Sequence, residues 1–216
     1  LITSKKIIES ENLNLIMSHL ACSDNLESKK NDAQIDEFNK IQKYFPNTPK
    51  SLANSHGIWL GKKALYDLTR PGIALYGYTN FTNNKIKPVV RLLAPILQIR
   101  NPEIGETVGY DATYKINKKT IIGILGIGYA DGLMRCIGNR KNLYLGKYKI
   151  PIVGRVSMDT LTVDFSQIPS SILSNARFIP LIDDNYEVSD LAKDCNTISY
   201  EILTSFSKRI QRIYIN

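Results

Sequence analysis

Arg70-Pro71-Gly72-Ile73-Ala74-Leu75-Tyr76-Gly77 closes one kind of sequence, and Thr79 to Lys87, ahead of Pro88, opens another. Upstream, short apolar runs alternate with helical stretches. Leu13-Asn14-Leu15-Ile16-Met17 reads as a buried strand, followed by a polar loop from Ser18 to Lys30. From Asp32, the expected N-cap, Ile35, Phe38, Ile41 and Phe45 recur at near-helical spacing. Pro46 and Pro49 end that helix. Ser51-Leu52-Ala53-Asn54-Ser55 is a second short strand, and Ile73-Ala74-Leu75-Tyr76 a further apolar piece after the Arg70-Pro71-Gly72 turn. Strands alternating with helices imply parallel βα units, and about three of them fit, too few to close a barrel of eight.

Downstream the rhythm changes. The Thr/Asn/Lys-rich stretch from Thr79 to Lys87 reads as a linker, and beyond it Val89 to Arg100, Thr120 to Gly128, Leu143 to Val153 and Leu161 to Phe165 are β-rich segments parted by Gly, Asn and Pro turns. That is the pattern of a mostly antiparallel β domain. Two helical pieces are expected near Val188 to Asp194 and Ser199 to Phe206. The expected class is therefore α/β plus all-β, with late βα units over residues 1–84 and a β domain over 85–216.

Composition narrows the function classes. The 216 residues are 43% hydrophobic and 22% charged, which suits a globular core. No run approaches the ~20 apolar residues of a membrane span, and no basic-then-apolar signal segment opens the chain. Three scattered cysteines, Cys22, Cys136 and Cys195, form no CxxC pair, so neither a disulfide framework nor a metal site is expected and a reducing cytoplasm fits. The net charge of +8 raises the question of nucleic acid, but the lysines fall in scattered pairs such as Lys29-Lys30 and Lys62-Lys63 without interleaved aromatics. A solvated basic surface is the better reading, with no nucleic-acid partner expected. The chain starts Leu1-Ile2-Thr3 rather than with Met, which is expected of a processed chain or a piece of a longer one.

Several segments, taken in order, carry a family resemblance. They are Ser18-His19-Leu20-Ala21, Asn54-Ser55, RPGIALYG at 70–77, Val108-Gly109-Tyr110, Gly128-Tyr129-Ala130-Asp131-Gly132 and PIVGRVSMD at 151–159. Together they resemble the second half of bacterial alanine racemase, from about residue 13 onward. The resemblance implies the last strands and helices of a (β/α)8 barrel followed by a β domain. It also implies pyridoxal 5'-phosphate as cofactor, exchange of L- and D-alanine for peptidoglycan, and a cytoplasmic head-to-tail homodimer in which each active site is completed in trans. The family's cofactor lysine lies in a motif resembling KANAYGHG, which these 216 residues do not contain. The isolated chain is accordingly expected to be inactive.

Residue roles follow from the same resemblance. Racemisation needs a proton removed from one face of Cα and another delivered to the opposite face, with an electron sink for the charge between. Tyr110 is implied as the base acting on L-alanine. A phenol ordinarily ionises near pH ~10, so a neighbour must make its phenolate accessible. His19 is implied to contact that tyrosine, and Arg70 to face both His19 and the cofactor's pyridine nitrogen. Asn54, Ser55, Gly72 and Ile73 are implied at the cofactor, the hydroxyl of Ser55 and the backbone N–H groups of Gly72 and Ile73 serving the phosphate. Tyr129, Met158 and Asp159 are implied on the substrate side, Met158 through its backbone N–H. Ser157 stands where many members have Cys or Ala, and Lys208 at a position that is Tyr in some.

Read without the resemblance, each of these residues has a plainer explanation. Tyr110 is one of twelve tyrosines, His19 a histidine at a strand end, Arg70 a surface ion-pair partner and Arg70-Pro71-Gly72 a simple turn. Competing functional readings are a remnant of a broken racemase gene, a racemase for another small amino acid such as serine, and a basic nucleic-acid binder.

Overall fold

The computed structural model of the chain describes residues 13–79, 81, 86–138 and 141–215. The chain divides into two units, Leu1–Lys87 and Pro88–Asn216. Of the expected linker, residues 80 and 82–85 lie outside the described residues.

In the first unit three short strands, β1 (Ile16–Met17), β2 (Lys50–Asn54) and β3 (Leu68–Arg70), pair in parallel in that order. Ile16 lies opposite Lys50, and Asn54 opposite Arg70. The helix Lys29–Gln42 turns Ile35 and Phe38 inward onto Leu20, Leu52, Ala53 and Ala64. These residues are 5% exposed or less, so the i, i+3 stripe supplies the hydrophobic drive for this unit.

One local expectation, the N-cap, is corrected, and the apolar piece at 73–76 proves to be no strand. The helix is preceded by Ser28, and Asp32 lies in its first turn. It starts early because Asn31 is buried and donates from Nδ2 to the Asn25 carbonyl (2.8 Å), which seats the first turn against the preceding loop. Asp32 still complements the positive helix end. The third strand is Leu68–Arg70, whereas Ile73–Tyr76 is a 3-10 turn. Pro71 brings no N–H for a ladder, and the Leu75 and Gly77 N–H groups fold back on the Gly72 and Ala74 carbonyls (3.0 and 3.1 Å).

The second unit is built on an antiparallel sheet. Its strands are β4 (Leu92–Arg100), β7 (Ile122–Leu125), β10 (Leu161–Asp164) and β11 (Phe178–Ile182), in the order β10-β7-β4-β11. Two further hairpins are β5 (Thr107–Val108) with β6 (Tyr114–Lys115), and β8 (Asn142–Leu145) with β9 (Tyr148–Pro151). Val108, Ile116, Ile122 and Val153 form a core cluster that ties the β5–β6 hairpin to the sheet. Helices Val188–Asp194 and Ser199–Ser205 follow as the apolar spacing indicates. Strand β11 escapes a periodicity reading because Pro180 interrupts it. Proline is tolerated there because β11 is an edge strand with a register shift just after Pro180. No helix of the described residues is long and apolar enough to cross a membrane.

Candidate active site

Parallel pairing brings the carboxyl ends of β1, β2 and β3 side by side, and the polar residues that follow each strand meet there. Asn54 is held from both sides of its amide. Its Oδ1 accepts from the Gly57 N–H (2.9 Å) and the Ser23 hydroxyl (2.8 Å), and its Nδ2 donates to the Leu20 carbonyl (3.3 Å). With the amide orientation set by backbone groups at both ends, Nδ2 is also the donor toward His19 Nε2 (3.2 Å). A hydrogen bond from Nδ2 needs an acceptor at His19 Nε2, which assigns the ring proton to Nδ1.

Arg70 is fixed by neighbours other than His19. Its Nη1 donates to Ser51 Oγ (2.5 Å) and its Nη2 to the Ser18 carbonyl (2.6 Å), while Ser51 in turn donates to the Leu68 carbonyl (2.7 Å). Arg70 thus grips the residue preceding His19, and among the described residues no hydrogen bond or ion pair joins the two side chains. Ser51 is fully buried, and sequence reasoning passed it over as an ordinary strand residue.

Ser55, only 2% exposed, accepts at Oγ from the Gly72 N–H (2.7 Å) and the Ala74 N–H (3.3 Å). The Gly72 N–H, expected to face a phosphate, is therefore spent on Ser55. With both bonds entering as acceptor, the Ser55 hydroxyl hydrogen is left to donate elsewhere. The Ile73 N–H forms no bond among the described residues.

Beside Ser55, His56 is buried edge-on against Phe81 (5.6 Å between ring centroids), and its Nε2 has no hydrogen-bond partner among the described residues. Burial pushes this imidazole below the ordinary histidine range, with Asp24 opposing more weakly. Below pH ~6.5 the unfolded chain takes up a proton that the folded chain refuses, so stability falls as pH drops from there through the lowered folded value. Melting temperatures measured across that range should show this decline, and His56→Leu should flatten it. An unchanged slope in the variant would assign the decline to other groups.

In the second unit one segment, Gly154 to Asp159, is the spine to which both tyrosine-bearing turns are attached. Tyr110 begins a 3-10 turn after β5 and is 70% exposed. Asp111 (φ 60°) and Ala112 (φ 50°) are held in the left-handed region, a strained conformation for residues with a Cβ. Two features hold it: an ion pair between Asp111 and Arg155, and the close approach of Gly109 (φ 79°) to the Arg155 backbone, where an added Cβ would lie 3.1 Å from the Arg155 nitrogen. The second turn, Tyr129–Asp131, is bonded to the other end of the spine. The Tyr129 N–H donates to the Ser157 carbonyl (3.0 Å) and the Ala130 N–H to that of Met158 (2.9 Å). A Cβ on Gly128 would collide with both carbonyls, so only glycine allows this approach. The guanidinium of Arg135 lies 5.8 Å from the Tyr129 ring centroid, a cation–π contact that orients the ring. Met158 keeps its own N–H free of partners among the described residues. Tyr110 itself makes no bond to Tyr129, Met158 or Asp159 among those residues.

Polar donors at parallel strand ends, followed by a β unit that presents two tyrosine turns on one spine, define a chain of the βα-plus-β-domain class. The alanine racemase C-terminal domain model matches residues 89–214, and the alanine racemase N-terminal domain model matches residues 4–80. The chain belongs to the alanine racemase family. The alanine racemase of Rickettsia bellii is 37% identical over 217 residues, covering 99% of this chain and 53% of that protein. That of Cereibacter sphaeroides is 43% identical over 200 residues, covering 93% and 55%. The chain thus spans about half the length of the curated relatives it matches. Among solved structures, the Bartonella henselae alanine racemase with covalently bound pyridoxal phosphate matches with a TM-score of 0.88 at 35% identity, over 99% of this chain and 60% of that one.

Proposed function

We propose that this chain is part of an alanine racemase that exchanges L- and D-alanine, with pyridoxal 5'-phosphate as cofactor and two bases on opposite faces of Cα. The observation that carries this reading is the gathering of Ser55, Arg70 and the Asn54–His19 pair at the carboxyl ends of three parallel strands, where barrel enzymes collect catalytic groups. The donors fit a phosphorylated pyridine. Ser55, oriented by two N–H bonds, has a hydroxyl hydrogen for the phosphate, and the Ile73 N–H is a second donor. Arg70 is a fixed cation with no acceptor, so opposite a pyridine nitrogen it opposes protonation there. When bound, the cofactor supplies the sink for the electron pair left on Cα.

The remaining roles belong to this chain's own side chains. Tyr110 takes the Cα proton of L-alanine, and the Met158 N–H and the Tyr129 side bind the carboxylate end, with Asp159 beside them. The exposure of Tyr110, Tyr129 and Met158 in the single chain supports a homodimer in which they serve the barrel end of a second copy. The residues here supply one of the two bases, and the lysine-bearing part of the barrel the other. The enzyme works in the cytoplasm and furnishes D-alanine for peptidoglycan.

The protein carrying this chain, supplied with pyridoxal phosphate and L-alanine, should form D-alanine on chiral chromatography. Cofactor retained without any D-alanine formed would overturn the reading.

A further inference from the structure

Three segments of the second unit meet where the substrate carboxylate is placed by the proposed function. Two are the Tyr129–Asp131 turn and the Met158–Asp159 end of the spine, joined by main-chain bonds but exposed at their tips, Tyr129 by 41% and Met158 by 53%. The third is the stretch after helix Ser199–Ser205. Ser205 Oγ donates to the Gly132 carbonyl (2.8 Å), and the Ser207 N–H donates to the Asp131 carbonyl (3.0 Å). Two residues on, the Arg209 guanidinium reaches both turns at once. Its Nη2 donates to Asp159 Oδ1 (2.6 Å), and its Nε lies 3.3 Å from Asp131 Oδ1. The other oxygen of Asp131 accepts the Gly128 N–H (2.9 Å), so the guanidinium closes a ring of contacts through both turns.

The charge balance gives this ring a purpose beyond packing. Asp159 adjoins Met158, whose N–H is the donor proposed for the carboxylate. An uncompensated Asp159 would repel an anionic group a few ångströms away. Among the described residues Arg209 is the only cation paired with Asp159, and its fork lets one side chain serve two carboxylates.

We propose that Arg209 is a positioning residue for the substrate-carboxylate side of the site, holding the Tyr129 and Met158 segments in register and cancelling the charge of Asp159. Arg209 need not touch substrate to do this. The proposal rests on the alanine racemase reading, and only its amide-exchange arm is independent of it.

In the protein carrying this chain, Arg209→Gln should raise KM for both alanine enantiomers about tenfold, the scale of one charge-assisted hydrogen bond, and leave kcat within about twofold. Arg209→Lys should recover part of the loss, because charge returns without the fork. Adding Asp159→Asn to Arg209→Gln should bring KM back toward the parent value, a rescue that general destabilisation would not give. Hydrogen exchange on Arg209→Gln should show faster exchange at the Gly128, Tyr129 and Ala130 amides, with β7 and β10 protection retained as the sign of an intact fold. Unchanged KM, or unchanged exchange at the Tyr129 turn, overturns the proposal. If the parent protein does not racemise alanine, the functional reading fails, and amide exchange still decides whether Arg209 ties the two turns.

Discussion

Tyr110→Phe should slow exchange of the Cα proton of L-alanine with heavy water by about 10²–10⁴-fold, the usual worth of a positioned acid–base group, and leave D-alanine exchange partly intact. The asymmetry is the informative part. A phenol on one face acts on one enantiomer, so deleting its oxygen disables one direction of proton removal and spares the other. Phenylalanine keeps the ring volume and leaves the Asp111–Arg155 ion pair that holds the turn in place. Equal loss for both enantiomers would place Tyr110 among the binding groups rather than the bases, and no loss would remove it from the site.

Gly128→Ala should lower kcat/KM by about 100-fold, although it adds a single methyl group. The new Cβ has nowhere to go, because it meets the Ser157 and Met158 carbonyls that accept the Tyr129 and Ala130 N–H bonds. Relief requires the turn and the spine to part, which displaces Tyr129 and the Met158 N–H together. The sheet itself is not touched, so the melting transition should move far less than activity does. Normal activity in a folded Gly128→Ala protein would show that the separation of these two segments does not matter to the reaction.

How far the sequence reading reached depended on the range of the forces involved. The helices Val188–Asp194 and Ser199–Ser205 were legible because apolar spacing along a helix is a local signal. Strand β11 was not, since Pro180 argues against a strand until its edge position is known. The start of helix Lys29–Gln42 was misplaced for a similar reason: a buried Asn31 bonded to the Asn25 carbonyl outweighs the N-cap preference of Asp32. The site divides the same way. Residues inside contiguous motifs, such as Ser55, Arg70, Tyr110 and Met158, could be singled out by family resemblance. Their partners are remote in sequence: Ser51 meets Arg70, Arg155 meets Asp111, and Arg209 meets Asp159 fifty positions away. No spacing rule links such pairs, and only the folded backbone brings them together. Arg70 and His19 show the same limit. A resemblance named both residues, but their partners, Asn54 for the histidine and the Ser18 carbonyl and Ser51 for the arginine, are read only from the fold.

The central claim is that two different groups handle the proton on the two faces of Cα. The most direct test is a time course of deuterium incorporation during conversion of L-alanine in heavy water, by the unmodified protein with pyridoxal phosphate. Two bases predict that deuterium appears first in the D-alanine formed, while the remaining L-alanine stays largely unlabelled. Deuterium entering the remaining L-alanine as fast as it enters the D-alanine would contradict the account, because a single group exchanging with solvent on both faces would then suffice.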